Sequence, residues 1–259
     1  MSTIRSTIRA STRRVAPGIR EFMMNLHGEE NFATAPLLAD YQLESWLHAS
    51  HSQLSHTSTQ EADWQQLTQY AAYHVINEWY SLPAKLRTQQ KLNELFERRW
   101  TNKVHVFSSP EFYRDVKRIV TAHLFGFLSD TNSLETPLML FENMNVYVKE
   151  LDIRLSMIIQ VMEPSERSFH IHKYVMNPCQ AALELFTHMS VIFCYEAFGQ
   201  LPEQLYICRL MSGERQSLAA RDYNLSQSMD YLRLVKEVYM ESRSCSCCSP
   251  AASSGRIIM

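Results

Sequence analysis

Glycine and proline are scarce in this chain, and their scarcity limits the folds open to it. Only 6 glycines and 9 prolines punctuate 259 residues. Folds built from many short strands need tight turns, and such turns use both residues heavily. The apolar fraction of 46% is high enough for a sizeable core. Together these features favour a protein rich in helices.

Apolar residues recur at helical spacing along most of the chain. Residues 64–80 follow the 3.6-residue period of an amphipathic helix. Residues 138–162 predict one long helix whose apolar face consists of Leu140, Met144, Val148, Leu151, Leu155, Ile158 and Ile159. Only residues 169–175 alternate apolar and polar side chains, as an extended segment would. We therefore expect an all-α fold, a multi-helix bundle with two packed helical subdomains.

The composition divides the chain into four parts. We expect a basic, flexible N-terminal arm over residues 1–16, a helical subdomain over 17–130, a second helical subdomain over 137–241, and a disordered tail rich in Cys and Ser over 242–259.

The sequence contains no run of about 18 apolar residues, so we expect no transmembrane helix. The net charge of −2 provides no overall field that would attract nucleic acid. The expected location is the cytoplasm, with peripheral membrane association through the chain ends.

The N-terminal arm carries positive charge only. Four arginines lie in the arm and a fifth follows it, all before the first acid, Glu21: Arg5, Arg9, Arg13, Arg14 and Arg20. In a helix, Arg5, Arg9 and Arg13 would form a stripe beside Ile4 and Ile8. Three interpretations remain open. The arm is a disordered basic tail, a membrane-surface segment that uses Arg5, Arg9, Arg13 and Arg14, or a mitochondrial presequence.

Three cysteines cluster after the last predicted helix. Cys245, Cys247 and Cys248 do not fit a closed zinc site, because no second pair of Cys or His follows them. Clustered thiols in a Ser-rich tail suit reversible S-acylation. The alternative is that these thiols are incidental residues of a disordered tail.

No catalytic motif is recognisable. The chain has no glycine-rich phosphate loop, no Gly-x-Ser-x-Gly elbow and no Glu-x-x-His pair. His170 and His172 would face one way in a strand, but the sequence places no third metal ligand beside them. We therefore expect no catalytic residue, no metal and no cofactor.

One stretch resembles the entry to a regulator of G-protein signalling (RGS) domain. The family has an Arg-Glu-Phe-Leu helix followed by Ser-Glu-Glu-Asn-Leu. Here Arg20-Glu21-Phe22-Met23 and Glu29-Glu30-Asn31-Phe32 match in register, and Asp40-Tyr41 falls where the family has an acid-aromatic pair. Residues 71–80 and 112–128 are similar to two later helices of that domain. The resemblance covers about the first half of the chain.

The chain also departs from the RGS pattern. Thr34-Ala35 stands where the family has Phe-Trp, and the family's Asp-Ser-Tyr segment near the end of its long helix is missing. For Glu30 and Asn31 the resemblance implies contacts that brace the switch regions of a G-protein α subunit. Without the resemblance, Asn31 would simply cap or close a turn between two helices.

These observations predict a non-enzymatic regulatory or adaptor protein that binds a protein partner. In its sharper form, the chain is an RGS-like modulator of a G-protein α subunit, tethered to membrane by tail acylation. One alternative is a metal- or haem-dependent enzyme on a haem-oxygenase-like helical bundle, with ligands drawn from His74, His123, His170, His172, His188 and nearby acids. The other is a viral or organellar structural protein.

Overall fold

The described part of the chain contains both helices and strands. The computed structural model describes residues 34–52, 64–129 and 136–244. The helices are α1 (Asp40–Ser52), α2 (Trp64–Ser81), α3 (Gln89–Arg99), α4 (Pro110–Ser129), α5 (Gln180–Phe198) and α6 (Leu225–Ser244). The strands are β1 (Leu37–Ala39), β2 (Met139–Val148), β3 (Ile153–Pro164), β4 (Phe169–Val175), β5 (Gln204–Arg209) and β6 (Arg215–Leu218). The expected all-α fold is therefore wrong, because the protein is mixed α/β.

The six strands form one mixed sheet around β3. The strand order is β1-β3-β4-β5-β6, and β2 pairs with β3 along its other edge. On the shared edge of β3, parallel β1 covers residues 154–156 and antiparallel β4 covers residues 161–164. Strands β4 and β5 are parallel and are connected through α5, whereas β5 and β6 form an antiparallel pair.

Residues 138–162 form β2 and β3 instead of the predicted long helix. Strand β3 is buried on both faces, so its apolar residues run almost unbroken. Such a run does not distinguish a buried strand from a helix. The reversal before β3 uses neither Gly nor Pro. It consists of a 3₁₀ turn over Lys149–Leu151 and of Asp152, whose φ of 47° is left-handed.

The second half of the chain differs from the predicted helical subdomain in other places too. Residues 203–211, expected to be helical, contain β5, and α6 begins only at Leu225 after β6. Residues 169–175 form β4, in agreement with their alternating pattern. The sequence also predicts helices over residues 64–80, 110–128 and 178–198, and these segments form α2, α4 and α5.

Helices cover both faces of the sheet. One apolar core lies between the sheet and α1, α5 and α6, and includes Leu155 and Phe193. The second core contains Val120 and Phe96 from α4 and α3, and reaches the opposite face of the sheet. Side chains of β4 alternate between them, since Ile171 belongs to the first core and Tyr174 to the second. This three-layer arrangement decides which polar residues become neighbours.

Candidate functional site

The residues that sequence analysis selected as sites lie outside the described residues. They are Glu30 and Asn31 for partner binding, Cys245, Cys247 and Cys248 for lipidation, and Arg5, Arg9, Arg13 and Arg14 for the membrane surface.

The proposed histidine ligands do not converge on one point. His170 and His172 lie two residues apart on one face of β4, and both rings contact Tyr206. The remaining three lie on separate helices: His74 on α2, His123 on α4 and His188 on α5. Since the fold is mixed α/β, the helical bundle assumed for a haem-oxygenase-like enzyme is also wrong.

Polar side chains line the face of the sheet that lies under α2 and α4. The strand registers bring them together. His172 pairs with Tyr206, Tyr174 pairs with Cys208, and Cys208 pairs with Arg215. Alternate residues of neighbouring strands share a face, so these side chains form adjacent rows. We call these five residues, together with Glu163 and Tyr80, the His172 cluster.

A buried carboxylate–imidazole pair lies at the centre of the His172 cluster. The Nε2 atom of His172 lies 3.0 Å from Oε2 of Glu163, and their side chains are 3% and 6% exposed. The Tyr80 hydroxyl donates a hydrogen bond of 2.7 Å to Oε1 of Glu163. The imidazole–carboxylate contact is close, but neither ring nitrogen of His172 has hydrogen-bond geometry with another described group. Helix α2 is thus fastened to the sheet through this carboxylate.

The thiol in the cluster is not an activated nucleophile. Burial raises the pKa of Cys208 to about 11, and the nearby guanidinium of Arg215 opposes the rise only in part. A thiol reacts as its thiolate, so Cys208 is protonated and inert near neutral pH. Arg215 lies over the rings of Phe127 and Tyr206 and donates a 2.7 Å hydrogen bond to the carbonyl of Phe127. These contacts fasten α4 to the sheet.

His170 lies beside the His172 cluster, at the start of β4, and reaches the surface. The His170 ring is partly exposed, and its Nε2 atom lies 3.9 Å from Oε2 of Glu203. Burial, followed by the charge of His172, lowers the pKa of His170. His170 is therefore neutral at pH 7 and makes no permanent ion pair with Glu203.

A second polar network fills a gap on the edge of β3. Between the parts of β3 that pair with β1 and β4, the main chain lacks a strand partner, and side chains replace it. Asp40 accepts a 3.0 Å hydrogen bond from the Ile158 amide. Gln160 accepts one of 2.7 Å from the amide of Tyr174, whose carbonyl accepts one from the Tyr73 hydroxyl.

Charged groups in this network are also internally paired. Lys173 forms an ion pair with Glu44 of α1, and its ammonium lies 4.6 Å from the centre of the Phe186 ring. Burial raises the pKa of Asp40, although the charge of Lys173 works against this effect. The hydrogen bonds of this network satisfy main-chain groups of β3 and β4. The network therefore fixes the position along β3 where the end of β1 and the end of β4 lie next to each other.

A surface groove with a volume of about 510 Å³ lies between α3 and α4. Helix α4 contributes Arg114, Lys117 and Arg118, and α3 contributes Glu97 and Phe96. Lys117 pairs with Glu97 across the groove at 2.7 Å. The side chains of Arg114 and Arg118 are 69% and 73% exposed, and each pairs with an acid three residues away on its own helix. We call this surface the α3–α4 groove.

The sequence predicts neither the His172 cluster nor the α3–α4 groove. The spacing of Arg114, Lys117 and Arg118 already indicates a basic stripe on one helix face. The groove forms because α3 packs beside α4, and the spacing of residues on α4 does not predict this tertiary contact. For the cluster, the one signal was the alternation of His170 and His172.

Within residues 34–52, 64–129 and 136–244, no three His, Cys, Asp or Glu side chains are grouped to hold a metal ion. No helix in the same ranges has the length and apolar character needed to cross a membrane. The chain matches no protein-family model, and no curated protein is significantly similar to it.

Proposed function

We propose that the chain is a regulatory or adaptor protein that binds a protein partner, and that an acidic segment of this partner docks in the α3–α4 groove. The observation that carries the proposal is the charge of the groove, whose lining has three cations and one acid.

The exposed arginines can exchange their present partners for those of a ligand. Arg114 and Arg118 pair with Glu111 and Asp115, and all four side chains are exposed. Exposed pairs of this kind contribute only about 0.2–1 kcal/mol. A carboxylate that binds in the groove would be partly desolvated. Bidentate arginine contacts to such a carboxylate are stronger than the exposed ion pairs that they would replace.

The shape of the groove suits a helical ligand. Two neighbouring helices present ridges and a depression into which a third helix can lay its side chains. Ala122 supplies exposed apolar surface within the groove, Phe96 lies buried beneath it, and the arginines stand on the α4 side. An amphipathic helix with one apolar stripe and one acidic stripe would complement this pattern.

The test is a titration with a synthetic amphipathic helical peptide that carries a leucine stripe and a glutamate stripe. We expect binding that weakens with added salt, because exposed charges are screened. The double variant Arg114→Glu/Arg118→Glu should weaken binding at least about tenfold, since reversed charges repel the ligand.

The matched control is Arg233→Glu on α6. Arg233 is also an exposed helical arginine paired with an acid three residues away, but it lies outside the groove. Its affinity for the peptide should equal that of the unaltered protein. Equal binding by the double variant, or equal weakening by the control, would reject the groove as the docking site.

In its sharper form, the partner is a G-protein α subunit. Support comes from the RGS-like residues Glu30 and Asn31, and from α2 and α4, which span the two segments that resemble later RGS helices. The variant Asn31→Ala should weaken binding to an α subunit in its transition-state-analogue form and leave thermal stability unchanged. Absence of binding by the unaltered chain to any activated α subunit would remove this partner and leave the groove proposal standing.

Membrane tethering is the remaining part of the proposed function. A single acyl chain gives marginal, reversible binding, so a second signal is needed for stable anchoring. Cys245, Cys247 and Cys248 would supply the acylated thiols, and the arginines of residues 1–16 would supply the second signal. Replacing all three cysteines with Ser should move the protein from the membrane to the supernatant fraction in its own cells. An intact mass equal to that of the unmodified chain would contradict acylation.

A further inference from the structure

Helix α6 has apolar residues on its outer face as well as on its core face. Its inner side chains, among them Leu232 and Tyr239, are buried in the core shared with α1 and α5. Leu234 and Val238 lie one turn apart on the outer face and are 59% and 44% exposed. The partly buried Tyr231 continues the same stripe.

Acidic residues flank this outer stripe. Asp230, Glu237 and Glu241 lie three or four residues from Leu234 or Val238, and all three are exposed. Arg233 lies beside them and is paired with Asp230. We call this surface, apolar in the centre and acidic at one side, the outer face of α6.

We propose that the basic N-terminal segment of the same chain, residues 4–14, covers the outer face of α6. The two patterns are complementary. Ile4 and Ile8 are spaced four residues apart, like Leu234 and Val238, and Arg5, Arg9 and Arg13 have the same spacing beside them. An amphipathic helix over residues 4–14 would place its isoleucines on the apolar stripe and its arginines opposite the acids.

The connection is long enough for this contact within one molecule. Nineteen residues separate Arg14 from Thr34, where the described structure begins, and an extended chain of that length spans roughly 60 Å. Helix α1 follows shortly after Thr34 and packs against α6, with the ring centres of Trp46 and Tyr239 5.6 Å apart. The contact does not involve the α3–α4 groove, so it is independent of the docking proposed there, but it competes with the membrane contact proposed for the same arginines.

Trypsin cleavage of the full chain at low enzyme concentration tests the proposal. Cleavage after Arg5, Arg9 and Arg13 requires the segment to leave α6, so its rate reports the population of the released form. The variants Leu234→Ser/Val238→Ser and Glu237→Gln/Glu241→Gln remove the apolar and acidic parts of the surface and add no trypsin site. In each we expect the N-terminal segment to be cleaved about tenfold faster than in the unaltered chain.

Two controls match these changes. Leu86→Ser removes an exposed apolar side chain, and Glu111→Gln removes an exposed helical acid, both far from α6 in sequence. Neither should change the cleavage rate.

Two results would overturn the proposal. One is equal cleavage in the α6 variants and the unaltered chain. The other is protection that rises with protein concentration, which would assign the contact to the N-terminal segment of a second copy.

Discussion

At the scale of single residues, Tyr80 tests whether the His172 cluster stabilises the protein. Its hydroxyl donates to the buried carboxylate of Glu163, and loss of a donor to a buried charged group leaves part of its desolvation uncompensated. We predict that Tyr80→Phe lowers the free energy of unfolding by about 1–3 kcal/mol. Urea denaturation at pH 7 measures this difference.

Tyr70 provides the matched control for this substitution. It lies on the same helix, but its ring is exposed and its hydroxyl only accepts a 3.3 Å hydrogen bond from Gln66. Tyr70→Phe should change stability by less than about 0.5 kcal/mol. If both variants were equally stable, the bond between α2 and Glu163 would carry no net free energy.

His188 makes stability depend on pH. Burial lowers its pKa, and the charge of Glu184 opposes this effect only partly. The unfolded chain, in which His titrates near about 6.5, therefore binds more protons than the folded protein as the solution is acidified. Stability that is present at pH 7 should fall as the pH drops below about 6.5.

Substitution of His188 by Gln should reduce this loss of stability between pH 7 and pH 5. The Gln amide can keep a hydrogen bond to the Ser228 hydroxyl, which lies 2.9 Å from Nδ1 of His188. His74→Gln, an exchange at an exposed position of α2, serves as control and should leave the pH dependence unchanged. Identical pH dependence in His188→Gln and the unaltered chain would show that His188 is not the group responsible.

At the scale of elements, β3 carries the sheet, because it pairs with β1, β2 and β4. Leu155 lies within it and is fully buried in the core against α1 and α5. We predict that Leu155→Ala destabilises the protein by about 2–5 kcal/mol through lost burial and a residual cavity. Leu86→Ala, at an exposed position, should cost less than about 0.5 kcal/mol. A small effect at Leu155 would mean that β3 is not central to the core.

Helices with one apolar face could be predicted from the sequence, and the sheet could not. Helices α2 and α4 show a helical period or a capped start, such as the Ser109 side chain that accepts from the amide of Phe112. Strand β3 is apolar on both faces, so it has no period of two. The turn at Asp152 lacks glycine, which removed the other signal of a hairpin.

At the scale of the whole molecule, the sites depend on contacts between distant parts of the chain. The His172 cluster joins Tyr80 of α2 to Glu163 of β3, 83 residues away. The two walls of the α3–α4 groove lie on successive helices, yet only their packing creates a depression with an excess of positive charge. Neither the His172 cluster nor the α3–α4 groove can be predicted from the spacing of residues within one element. The alternation of His170 and His172 predicted their common face and none of the groups opposite them.

Hydrogen exchange of the full chain, with and without the acidic helical peptide, tests the proposed protein-binding function most directly. If the peptide docks in the α3–α4 groove, amides of Gln89–Arg99 and Pro110–Ser129 should exchange more slowly in its presence. Amides of α6 should be unaffected, and Arg114→Glu/Arg118→Glu should abolish the protection. Protection confined to other elements, or none at peptide concentrations far above that of the protein, would contradict the account.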